Sequence, residues 1–326
     1  MKKLLALVFA LVLLFSVTAI AEPVTLQIGF ENSMSEPIGK ALAKWQELVA
    51  EKGDGSLVIE LFPDSQLGNK NDLIDQMLLG EPVMTLADGA FFADYGVPDM
   101  GIVFGPFLFE NWDQCWTLIE SDWWNEQCAQ LEALGLKMVA ANWAYGARHT
   151  LTTKPVHTPA DLAGLQIRVP TNQIQTKGFE YLGATPVGMS LGDVYTALQQ
   201  GTIDGLENPL TVLYNGAYQE VCKYLILDHH ILDYTCWVCG TDFFNTLTPE
   251  QQQILVEAGN EAGVYNNAML EETTNKALED LKAAGVEVVE FDRDSFVAAC
   301  ESFYADPDIQ AMWSEGLIDQ VKEIIK

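Results

Sequence analysis

Only three arginines occur in this 326-residue chain, and two of them, Arg148 and Arg168, stand twenty residues apart in a protein of formal charge -29. A guanidinium keeps its charge at any physiological pH, and its planar fork of donors grips a carboxylate through two parallel hydrogen bonds. Arg168 lies in Gly164-Leu-Gln-Ile-Arg-Val-Pro170, a single cation on an apolar strand pattern, which predicts an anion-binding residue. Arg148 reads either as a second ligand contact or as a structural salt bridge. Asn208 precedes Pro209 at the exit of a short strand, where its amide supplies donors and acceptors to a ligand or satisfies a turn. Asp88 follows a strand over residues 83–87, which places it at a cleft or makes it the cap of the next segment. Trp143, Tyr145, Tyr214 and Trp237 have the rings to stack on a sugar face, against the alternative that each is packing.

Two other chemistries have partial signatures. Gly188-Met-Ser-Leu-Gly192 matches the nucleophile elbow of serine hydrolases, with His229 and His230 downstream as bases. Against it, Pro186 interrupts the approaching strand, and Ser190 with Asp193 reads as a helix capping box. Cys236-x-x-Cys239, with His229-His230 upstream, resembles a metal-ligand spacing, but strand alternation sends the two thiols to opposite faces. Neither a metal nor a cofactor is expected. The six cysteines are free to pair in an oxidising compartment, with a connectivity that spacing does not determine.

The elements that must position these residues follow from periodicity. Residues 24–30 alternate as a strand, Pro37 opens a helix whose apolar face carries Ile38, Leu42, Trp45, Leu48 and Val49, and residues 57–61 alternate again. A second helix holding Leu73, Ile74, Met77 and Leu78 and a strand over 83–87 complete a β-α-β-α-β run, which predicts parallel strands. A helix over 112–134, a strand over 138–143 and a second strand over 148–152 come next, with a domain boundary near 145–147. Thr248-Pro249-Glu250-Gln251 starts a helix that the pattern carries to residue 284, long enough to serve two domains. The tail reads as a strand over 286–291 and helices over 295–304 and 309–325.

Residues 1–21 have the charged start, apolar run and Ala19-Ile20-Ala21 ending of a secretory signal peptide cleaved after Ala21. The expected product is periplasmic or extracytoplasmic, not inserted in a membrane, and monomeric. Removing Lys2 and Lys3 with the leader takes the charge to -31, which excludes nucleic-acid binding. Its remaining length passes the roughly 250–300 residues at which a single core usually divides, so two domains are expected.

Gly183-Ala-Thr-Pro-Val-Gly-Met-Ser-Leu-Gly-Asp-Val-Tyr-Thr-Ala-Leu-Gln-Gln-Gly-Thr-Ile-Asp-Gly-Leu-Glu-Asn-Pro209, with the strand carrying Arg168, resembles the DctP-type solute-binding proteins of tripartite ATP-independent periplasmic (TRAP) transporters. Leu61-Phe-Pro-Asp-Ser-Gln-Leu-Gly68, Thr85-Leu-Ala-Asp88, Thr158-Pro-Ala-Asp-Leu-Ala-Gly-Leu165 and Phe244-Asn-Thr-Leu-Thr-Pro-Glu-Gln-Gln252 extend the resemblance over nearly the whole mature chain. It implies an α/β, two-domain periplasmic-binding-protein-like (Venus flytrap) fold with a long helix spanning both domains. The division expected is residues 22–145 plus 234–273, and residues 146–233 plus 274–326.

By the same resemblance, Arg168 matches the arginine that salt-bridges the ligand carboxylate. Asn208 matches the asparagine beside it, Arg148 a basic position near the hinge, and Asp88 a strand-end residue aimed at the far part of the ligand. Leu191 stands where sialic-acid binders of the family carry an aromatic ring, which turns the reading away from sialate. The implied partners are a small and a large membrane permease subunit. Two arginines facing the ligand would favour a short dicarboxylate. Arg168 alone, with Asp88 opposite, favours a hydroxylated monoacid such as a uronate or aldonate.

Overall fold

Parallel pairing joins strands β1 (Val24–Gly29), β2 (Leu57–Phe62) and β3 (Val83–Ala87), as the β-α-β-α-β pattern predicts. The computed structural model describes residues 23–326, so the signal-peptide reading lies outside the described residues. The helix Pro37–Lys52 makes the first crossover, opened by its N-terminal proline and buried through the predicted apolar face. The helix Lys70–Leu78 makes the second, fixed by reciprocal capping between Asn69 and Asp72.

Two strands of 17 residues, β4 (Leu136–Thr152) and β8 (Tyr224–Gly240), run antiparallel to each other along their whole length. Sequence periodicity predicts two strands where β4 is one. The interruption is Gly146, at φ +138, beside a register irregularity after Ala144. A Cβ there would lie 2.7 Å from Cβ of Pro209, so both conformation and contact require glycine. β5 (Gln166–Val169), β6 (Thr185–Gly188) and β7 (Gly205–Pro209) complete the far side, and β9 (Glu287–Val288) pairs with β8. The sheet order is β2-β1-β3-β8-β4-β7-β5-β6. β4 and β8 therefore tie together the two groups of parallel strands.

Helices cover both faces, so β8 is buried along nearly its whole length. On one face Trp45, Trp143, Trp237 and Cys239 pack with Leu255 and Ala258. On the other, Cys236 and Val238 pack with Trp123, Trp124 and Phe92. Cys236 and Cys239 thus fall in different cores, as alternation predicts. Beyond β4, Leu151, Leu206 and Leu281 form a third core, and Ile167, Val169, Phe296 and Cys300 a fourth. In the tail, Phe303, Trp313, Leu317 and Val321 join the core of Cys236, while Ala277 and Leu281 belong to the third.

Two predicted helices are each divided. Residues 112–134 form Trp112–Ile119 and Asp122–Ala133, because Ser121 caps the second by accepting from the backbone amide of Trp124. The long helix begins at the predicted Thr248–Gln251 capping box but breaks at Met269, giving Pro249–Ala268 and Leu270–Ala283. The first part packs on the helix Pro37–Lys52 and the second on the helix Leu210–Asn215, so the pair touches both groups of strands. The tail strand shrinks to Glu287–Val288, and its helices are Arg293–Ala305, Pro307–Gln310 and Leu317–Ile324. No helix among the described residues is long and apolar enough to cross a membrane.

Candidate functional site

A cleft of about 510 Å³, counting the open solvent at its mouth, lies among the strand ends of β3, β5 and β7 and the middle of β4 and β8. Asp88, Tyr145, Arg148, Arg168 and Asn208 all line it, with Glu31, Lys70, Ser190, Leu191 and Asp233. The structure thus brings together five of the eight sequence-predicted site residues. Trp143 and Trp237 are not among them. Both are fully buried, 5.2 Å apart between ring centroids and each against Trp45, with the Trp143 indole donating to the Gly259 carbonyl. Both belong to the core around Trp45, Leu255 and Ala258, further along β4 and β8 than the residues that line the cleft. Tyr214 packs at the margin of the third core.

Arg168 rises from β5 with 3% of its surface exposed. Its Nε and Nη2 both donate to the carbonyl oxygen of Met189, at 2.8 and 2.6 Å. Burial pulls its pKa down from the ordinary guanidinium value, and the more distant charges of Glu31 and Glu207 act the other way. A buried cation held by a neutral carbonyl leaves positive charge for an anion in the cleft.

Arg148 on β4 is held differently. Glu207 accepts from its Nε at 2.5 Å and from its Nη2 at 2.6 Å, and Asp233 accepts from its Nη1 at 2.6 Å. Burial alone would lower its pKa; Glu207, then Asp233, more than offset that and raise it. Behind it, His230 bridges Glu207 and Asp228, 3.1 Å from each. Burial opposes the charge of that imidazole, but Asp228 and Glu207 hold its pKa up at about 9. Burial would raise the Glu207 carboxyl, and Arg148 reverses this, leaving it lowered. Burial, helped by Asp88 and only partly offset by Arg148, lifts Asp233 to about 7.

Asp88 fills both readings offered by the sequence. Its Oδ1 caps the helix Gly89–Asp94 by accepting from the amides of Ala90 and Phe91, while Oδ2 faces Lys70 at 3.6 Å. Asn208 lies within β7 opposite His149 and 3% exposed, where sequence places it beyond the strand end. Tyr145 shares hydrogen bonds with Asn32, which also donates to Glu36. Burial raises the Glu36 carboxyl to about 7. At the mouth, Asn71 donates to the Thr171 hydroxyl at 3.2 Å, joining the β3 side to the β5 side.

The predicted capping box at Ser190 does not form: its side chain makes no capping bond to the 3₁₀ turn Leu191–Asp193. A hydrolytic elbow is equally unsupported. β6 is a half-exposed edge strand, which tolerates Pro186, and both ring nitrogens of His230 are engaged by carboxylates. His229 lies outside the cleft lining, its Nδ1 beside the Leu227 carbonyl. Among the described residues all six cysteines are free thiols, and no cluster suited to a metal ion occurs.

Sequence reasoning missed Lys70, Asp233 and Glu207. Lys70 was discoverable: it opens a capped helix just beyond the β2 end, where a cleft rim is expected. Asp233 and Glu207 carry no local signal, because their partner lies 85 and 59 residues away.

A family model described as bacterial extracellular solute-binding protein, family 7 (DctP) matches residues 28–310. The 2,3-diketo-L-gulonate-binding periplasmic protein of Escherichia coli K12 is 35% identical over 284 residues, covering 86% of each chain. A TRAP periplasmic solute-binding protein from Ochrobacterium anthropi, solved with bound L-fuconate, superposes with a TM-score of 0.89 at 38% identity, covering 93% of this chain and 100% of that one. A TRAP periplasmic solute-binding protein from Actinobacillus succinogenes, solved with bound L-galactonate, gives 0.88 at 37% identity, covering 93% and 99%.

Proposed function

The chain belongs to the DctP family of bacterial extracellular solute-binding proteins, and on that premise we propose that it captures a sugar acid, an aldonate or uronate, for a TRAP permease. The observation that carries this reading is Arg168, a buried cleft guanidinium hydrogen-bonded to the Met189 carbonyl. Such a group gains most from a carboxylate, whose two oxygens meet its donors in charge-assisted bonds. Asn208, on neighbouring β7, supplies the amide that completes the grip.

The ligand is a monoacid because the second cleft arginine is already neutralised. Glu207 and Asp233 occupy Arg148, so a dicarboxylate would bring its second charge against Asp88, Asp233 and Glu31. Those same carboxylates accept hydrogen bonds from hydroxyls. Sugar acids bound by the similar proteins point the same way. The leader directs export and is cleaved after Ala21. The two groups of strands close over the ligand by bending along β4 and β8, and the closed form docks on a small and a large permease subunit.

Thermal unfolding of residues 22–326 tests the assignment against L-galactonate, L-fuconate, D-galacturonate, 2,3-diketo-L-gulonate, sialate and succinate. A true ligand at about 100 times its dissociation constant adds about 2.7 kcal/mol of stability. A shift confined to the six-carbon sugar acids is expected. A shift with succinate alone would replace this reading by the dicarboxylate one.

A further inference from the structure

Lys70 approaches the cleft from the β3 side, whereas Arg168 approaches from β5, with β8, β4 and β7 between those strands. Its side chain is only 12% exposed, yet its nearest carboxylate oxygen, Asp88 Oδ2, is 3.6 Å away, longer than a hydrogen bond. The ammonium instead sits 4.2 Å from the centre of the Phe91 ring. Both members of the pair are held in place. Lys70 is the first residue of a helix with a reciprocal cap, and Asp88 is anchored through Oδ1 to two backbone amides. Three ammonium donors and one carboxylate oxygen therefore face each other without closing on each other.

A hydroxyl group fits that gap. It accepts from an ammonium and donates to a carboxylate at the same time, and an oxygen at ordinary hydrogen-bond distance from both atoms fits a 3.6 Å separation. A second ligand carboxylate would meet Asp88 and the nearby Asp233, and an apolar ligand end would leave the Lys70 donors desolvated and unmet. Resting on the sugar-acid reading, we propose that Lys70 and Asp88 together read a hydroxyl in the half of the ligand remote from its carboxylate. This dyad makes the cleft select long hydroxylated acids over short ones.

The test is calorimetric titration of wild type, Lys70→Met and Lys70→Gln with L-galactonate, L-fuconate, D-galacturonate and 2,3-diketo-L-gulonate, and with the three-carbon acid D-glycerate. Lys70→Met should weaken the tightest six-carbon acid about tenfold or more, the worth of a hydrogen bond to a charged group, and leave D-glycerate within about twofold. Lys70→Gln, which keeps donors without charge, should fall between. Unchanged D-glycerate affinity also reports an intact fold and an intact Arg168 site. Equal losses for long and short acids, or no loss for either, overturn the dyad while leaving the sugar-acid reading standing. Failure of wild type to bind any of the four six-carbon acids overturns that reading and the dyad with it.

Discussion

Arg168 donates two hydrogen bonds to the carbonyl oxygen of Met189, whereas Arg148, on the same cleft wall, is closed between Glu207 and Asp233. Two residues identical in type are thereby given opposite work. One offers positive charge to a ligand, and the other holds β4, β7 and β8 together beneath it.

Substitution should separate the two roles. Arg168→Gln is expected to weaken sugar-acid binding by about 100-fold, several charge-assisted bonds at once, without lowering the unfolding temperature, since it removes a buried charge that lacks a carboxylate partner. Arg148→Gln is expected to cost about 3–5 kcal/mol of stability, because it leaves Glu207 and Asp233 buried without their cation. Titration calorimetry beside urea unfolding reads both, and a stability loss confined to Arg168→Gln would exchange the assignments.

Stability should fall in mild base. His230 is held up at about 9 against an ordinary 6.5, through Asp228 and Glu207. Because the folded value is the higher one, its contribution is complete below about pH 6.5 and is lost as pH rises through about 9. Glu36, raised by burial to about 7, is a carboxyl favoured in its protonated form, so its contribution also fades as pH rises from 4.5 through about 7. Unfolding temperature is therefore expected to decline between pH 7 and 10 in wild type and to flatten over that limb in His230→Gln. A wild-type profile already flat there would remove His230 as the bridging cation.

Ser190→Ala should leave stability within about 0.5 kcal/mol, the usual range for a side chain outside a core or cap, because its hydroxyl caps nothing. Wild-type protein incubated with a fluorophosphonate should show no adduct on Ser190 by mass spectrometry. A stoichiometric adduct would restore the hydrolase reading.

The face of the helix Pro249–Ala268 against the tryptophans admits no side chain at Gly259. An added Cβ would lie 2.5 Å from Cζ2 of Trp45, a ring already wedged against Trp143 and Trp237. Gly259→Ala is expected to destabilise by about 1–3 kcal/mol through overpacking. Chemical unfolding with a Gly192→Ala control, at an exposed position where an added Cβ meets nothing within 4 Å, would expose any general penalty of removing glycine.

The β-α-β-α-β run was legible because strand and helix periods are local, and the cap at Thr248 is written within four residues. Boundaries that depend on competition between neighbouring caps were not. Ser121 starts a new helix inside a continuous apolar pattern, and Met269 ends one without any breaker residue. Arg168 could be singled out by the scarcity of arginine, and Asp88 by its place after a strand. The sequence by itself determined that this is an acidic α/β chain carrying one cation on an apolar strand. Only the tertiary structure decided which arginine remains available, which aromatics belong to the core and where Lys70 points. Those outcomes depend on charges and faces brought together across β3, β4, β7 and β8 by chain segments dozens of residues apart, and no local spacing encodes them.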